Sequence, residues 1–86
     1  MLATLNEPGQ ELAGGIRFMM LDGPTRVVCW VSREALDEVE NGDASQQDRA
    51  ERFERHRLKI EQLAGEKYAA GERSPTVMTY DLGTVL

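Results

Sequence analysis

A chain of 86 residues and 9.6 kDa has material for one hydrophobic core and not for two, so it is read as a single small domain. Apolar residues at 41% and charged residues at 29% exclude a disordered composition, while one Cys excludes an internal disulfide framework and, beside one His, a zinc site of the usual nitrogen and sulfur ligands. The formal charge of -5 opposes the counterion release from phosphate on which nucleic-acid binding rests.

In chain order, Leu2-Ala3-Thr4-Leu5 has strand composition, but Asn6, Glu7, Pro8 and Gly9 break it at once. Residues 1–14 are therefore either a flexible tail or a short extra strand. They carry neither the cationic stretch nor the apolar core of a secretory signal, and the longest apolar run, residues 27–31, is far too short to span a membrane. A reduced, cytoplasmic setting is the expectation. Residues 16–21 are apolar apart from one Arg, and residues 26–32 are β-branched and aromatic. Asp22-Gly23-Pro24-Thr25 between them is turn chemistry, so the spacing predicts a β-hairpin.

Pairing across a four-residue loop sets Leu21 opposite Arg26, Met19 opposite Val28 and Arg17 opposite Trp30. Opposed residues share a face. One face then holds Ile16, Phe18, Met20, Val27, Cys29 and Val31, wholly apolar and expected to be the core. The other holds Arg17, Met19, Leu21, Arg26, Val28 and Trp30, a mixture, with Arg17 placed to stack on Trp30.

Ser32 is placed to N-cap a first helix over residues 33–40, with Glu34 suited to its positive end and Leu36 and Val39, joined by Ala35, as its buried stripe. Asn41-Gly42 stops it. Ser45 or Asp43 then caps a second helix over residues 46–69, about 36 Å long. Phe53, Ile60 and Ala64 align on its inner face, flanked by Ala50, His56, Leu63 and Tyr68, while Leu58 falls on the polar side. Asp48 and Arg52, Glu51 and Arg55, and Arg57 and Glu61 lie four apart and lace the exposed face. Gly65 marks a weak point or a close contact, and Gly71 ends the helix. Ser74-Pro75 bars continuation, and residues 76–82 read as a third strand with Met78, Tyr80 and Leu82 on the core face and Val77, Thr79 and Asp81 opposite. The expected fold is a two-layer α+β domain of order β-β-α-α-β. Its antiparallel sheet has three strands, four if the N-terminal segment joins, with two helices on one face.

The runs Cys29-Trp30-Val31-Ser32-Arg33-Glu34-Ala35-Leu36 and Phe53-Glu54-Arg55-His56-Arg57, followed by Ile60-Glu61 and residues 67–71, resemble a small bacterial family known as domain of unknown function 1488. The resemblance covers roughly residues 15–82. It implies a fold and brings no catalytic roles with it.

Cys29 and His56 are the obvious nucleophile and base, yet Cys29 falls on the core face, His56 borders an apolar stripe, and no third orienting group or oxyanion turn is evident. Ser32 lacks a nucleophile-elbow sequence and reads as a cap. Residues 37–48 approximate a calcium loop, but Val39 stands where a side-chain oxygen is required and Asp48 where a bidentate Glu is expected. Arg49, Arg52, Arg55, Arg57 and Lys59 invite a nucleic-acid reading. Residues 46–86, however, hold seven bases and seven acids, so the helix reads as a salt-bridged face.

The resulting expectation is a non-enzymatic domain that binds a protein partner or a second copy, with no cofactor, no metal, no membrane and no nucleic acid. Its candidate surface is Arg17, Met19, Leu21, Val28 and Trp30, with Val77 beside them. Either this surface is an interface, or residues 1–12, with Leu2, Leu5 and Leu12, fold across it as a lid. Two rivals are an accessory protein that uses the Arg-rich helix on nucleic acid and a small enzyme or ligand binder with its own pocket.

Overall fold

The computed structural model describes residues 2–5, 7–39 and 49–82. Five strands and four helices lie within them: β1 (Leu2–Thr4), β2 (Gln10–Leu12), β3 (Gly15–Asp22), β4 (Thr25–Ser32), α1 (Arg33–Val39), α2 (Arg49–Arg55), α3 (Arg57–Ala69), β5 (Thr76–Val77) and α4 (Thr79–Leu82). The sheet runs β1-β3-β4-β5, and β2 joins the same edge of β3 as β1, one after the other along it.

The β3–β4 hairpin has the register the hydrophobic pattern dictates, with Ile16 opposite Val31, Phe18 opposite Cys29 and Leu21 opposite Arg26. Asp22 also pairs with Thr25, so the turn is the two residues Gly23 and Pro24. Gly23 takes φ 59°, the positive value a type II′ turn needs at its first central position. At the far end Gly15 has φ 149°, and a Cβ there would lie 2.1 Å from the carbonyl oxygen of Val31, so only Gly lets the strands meet.

Ser32 ends the hairpin and starts α1, its hydroxyl accepting from the Ala35 amide at 3.0 Å. The ends of the two predicted helices at residues 40–48, and most of the calcium-like loop, lie outside the described residues. The long second helix is two helices. It divides at His56, whose φ of -110° leaves the helical region, while the His56 amide still donates to Arg52 and Phe53 carbonyls at 3.1 and 3.2 Å. The buried residues are Arg52 and Phe53 in α2 but Ile60, Glu61 and Ala64 in α3. Phe53, Ile60 and Ala64 share the inner face expected for them on both sides of the break, and Arg52 and Glu61 flank it.

The predicted third strand is corrected most. β5 has two residues and runs parallel to β4, Val77 pairing with Val31, because three helices carry the chain back across the sheet before it arrives. Asp81 then folds the rest into α4: its carboxylate accepts from the Met78 amide at 2.7 Å and from Lys67 Nζ at 2.9 Å. Val77 is fully buried, Tyr80 is 67% exposed and Leu82 is buried, so the faces expected for Val77 and Tyr80 are reversed.

The core lies between the sheet and the helices, as the hairpin faces require. Ile16, Phe18, Met20, Val27, Cys29 and Val31 are all buried beneath Ala35, Leu36, Phe53, Ile60 and Ala64. Phe18 and Phe53 meet with ring centroids 5.1 Å apart. Two buried charges tie the elements together, Arg52 joining α2 to α1 and Glu61 joining α3 to β1. Arg52 donates to Asp37 at 3.1 Å, and Glu61 accepts from Arg57 at 2.8 Å and from Thr4 at 3.1 Å. Among the described residues no buried side-chain polar atom lacks a partner, which is what makes such burial tolerable.

Candidate interaction face

Strand alternation gives the sheet a second face, and the helices lie on the first. Arg17 pairs with Trp30, Met19 with Val28 and Leu21 with Arg26. The Trp30 amide donates outward to the Pro75 carbonyl, so these are the non-hydrogen-bonded pairs of β3 and β4, whose side chains stand closest. Met19, Leu21, Val28 and Trp30 are half-buried, while Arg17 and Arg26 are exposed. All five candidate residues therefore share one surface. Val77 does not join them, because parallel pairing with Val31 turns it into the core.

The lid alternative is corrected as well. Residues 2–4 and 10–12 hydrogen-bond along the edge of β3 and do not cross the open face. Leu2 packs against the core cluster, and Leu12 is 38% exposed. Gln10 and Leu12, through their pairing with Arg17 and Gly15, extend the open face sideways.

Arg17 turns to Gln10, with which it hydrogen-bonds, and not onto Trp30; the cation–π contacts among the described residues are Arg57 over Phe53 and Lys67 over Tyr80. Arg26 donates to both carboxylate oxygens of Glu7 at 2.6 and 2.7 Å. The Gln10 partner was not legible in the sequence because β2 has no β-branched residue to announce it, and Glu7 lies in the loop before β2, where no periodicity places a side chain. Trp30 also walls a shallow groove of about 380 Å³ with Thr76, Met78 and Glu34, at the β5 end of the face.

The other candidates sit elsewhere. Cys29 is fully buried beside Val27, and burial, followed by the nearby Glu61 charge, pushes its thiol up to about 11. His56 is half-buried at the junction of α2 and α3. Asp37, the first residue of the calcium-like loop, has its carboxylate held by Arg49 at 3.4 Å and Arg52 at 3.1 Å. Arg52 thus reaches Asp37; its expected partner Asp48 lies outside the described residues. Arg57 meets Glu61 as its spacing predicts and also Glu54, but Glu61 is 6% exposed, so this pair lies in the interior and not on the exposed face expected for it. On the helical side, a hydrogen bond from the Tyr68 hydroxyl at 2.5 Å lowers the pKa of Asp22 and raises that of Tyr68. Lys67 is pulled down by burial, but the Asp81 hydrogen bond and charge outweigh this and hold it above its ordinary value.

The sequence model of a family described as a protein of unknown function, DUF1488, matches residues 10–79. The chain belongs to this family. The matched DUF1488 span takes in β2, both hairpin strands, α1 to α3 and β5, so the open face of β3 and β4 lies wholly within it. No curated protein and no solved structure matches the chain. Among the described residues no helix is long and apolar enough to cross a membrane.

Proposed function

We propose that this DUF1488 chain is a non-enzymatic, cytoplasmic protein-interaction domain whose working surface is the open sheet face of Arg17, Met19, Leu21, Val28 and Trp30. One observation carries the reading. Four large apolar side chains stand side by side on a face where a one-sided antiparallel sheet normally sets polar residues, and they are only half-buried. The N-terminal strands, which had been the candidate cover, are engaged at the edge of β3.

Two further features support it over its rivals. The Cys29 thiol sits in the core with a raised pKa, the opposite of what an activated nucleophile needs. Arg49, Arg52 and Arg57 are matched to Asp37, Glu54 and Glu61, which reduces the charge α2 and α3 offer to phosphate. The test is a paired capture from native lysate with wild type and the double variant Met19→Asp, Trp30→Ser as baits, each checked for an unchanged far-UV spectrum. A protein retained by wild type and lost by the variant is expected, whether a different protein or a second copy of the chain. Identical recovery by both baits would exclude the face.

A further inference from the structure

The open face carries a two-fold pattern of its own. β3 reads Arg17-x-Met19-x-Leu21 and β4 reads Arg26-x-Val28-x-Trp30. In an antiparallel pair, a local two-fold axis normal to the sheet passes midway between Met19 and Val28, and it exchanges Arg17 with Arg26 and Leu21 with Trp30. The two arginines therefore occupy one diagonal of the face, and the apolar residues fill the other diagonal and the centre.

Resting on the reading of this face as an interface, we infer that its occupant is a second copy of the chain, packed sheet against sheet. Turning a copy over about an axis parallel to the strands sets Met19 over Val28 of the second copy. Arg17 then lies over its Trp30 and Arg26 over its Leu21, so no arginine meets an arginine. Arg17 thereby gains an aromatic face across the interface, and Trp30 of each copy gains a cation. Neither arginine enters as a bare charge, since Glu7 neutralises Arg26 and Gln10 accepts from Arg17. Size sets the strength: β3 and β4 have 8 residues each, but the strands flanking them have only 2 or 3, so the face covers about 400 Å² and two such faces about 800 Å², within the range of weak, transient interfaces and below the roughly 1,000 Å² of a stable one. An isologous dimer that dissociates readily is the expected assembly.

The experiment is sedimentation velocity on the full chain over a dilution series up to about 100 µM, a range suited to weak specific interfaces, with emission read from Trp30, the chain's one tryptophan. The expected result is a species of twice the 9.6 kDa chain mass that dissociates on dilution, accompanied by a red shift of Trp30 emission as the ring returns to water. Arg17→Glu, an exposed change, should raise the dissociation constant about tenfold or more, and Arg17→Lys should retain the dimer. A wild type that stays monomeric throughout overturns the proposal, as does a dimer whose dissociation is unmoved by both Arg17→Glu and Met19→Asp. The lysate comparison separates the two levels. A different protein that wild type captures and the face variant loses preserves the face and removes the second copy from it.

Discussion

Phe53 is 1% exposed, its ring is tilted at 44° to that of Phe18, and the Arg57 guanidinium lies over it at 5.2 Å from the ring centre. Phe53→Ala empties the space between sheet and helices and should cost about 3–5 kcal/mol, comparable with the whole stability of so small a domain, as read from urea midpoints. Cys29 has a subtler signature. Its thiol, raised to about 11 by burial, should label slowly at about pH 8 in the native state and rapidly in urea, and fast native labelling would place it at the surface. Asp22 and Tyr68 work as a pair. The depressed Asp22 stabilises the fold above the ordinary carboxylate pKa, and that contribution is lost as pH falls through the lower folded value. The raised Tyr68 stabilises below the ordinary phenol pKa, and its share is lost as pH climbs through the higher folded value. Tyr68→Phe should move the Asp22 carboxyl titration, followed by NMR, upward toward the ordinary range; an unmoved titration would deny the hydrogen bond its role.

At the scale of elements, the hairpin and its cap were legible because their signals are local and agree. Period-two alternation, a Gly-Pro turn and Ser32 all point to one register, and that register sets both the core face and the candidate interaction face. β2 and β5 were not legible for different reasons. Gln10-Glu11-Leu12 has little strand propensity and pairs because β3 offers an edge, while residues 76–82 alternate well enough for a strand until the Asp81 carboxylate captures the Met78 amide. Asp81→Asn should therefore loosen α4 and lower its amide protection in hydrogen exchange while leaving β3 and β4 protected. Two glycines behave oppositely. Gly15→Ala collides with the Val31 carbonyl and should destabilise by about 2–4 kcal/mol. Gly65 sits inside α3, where a Cβ would meet nothing within 4 Å, so Gly65→Ala should stabilise by up to about 1 kcal/mol, measured by thermal melts.

For the whole molecule, the layers are unequal in their demands. The helices satisfy one face of the sheet completely, down to the buried pairs Arg52–Asp37 and Arg57–Glu61, and leave the other face with hydrophobic groups that no stability argument requires there. An acidic chain of -5 sets two arginines and no acid among the six hairpin residues of that face, and Glu7 reaches in to neutralise one of them, so the face carries little net charge and suits a surface meant to be covered. The most direct measurement is photo-crosslinking in the native cell with a benzoylphenylalanine placed at Val28, at the centre of the open face, or at Lys59, exposed on α3. The account predicts a discrete protein adduct from position 28 and none from position 59. No adduct from position 28, or the same adduct from both positions, would contradict it.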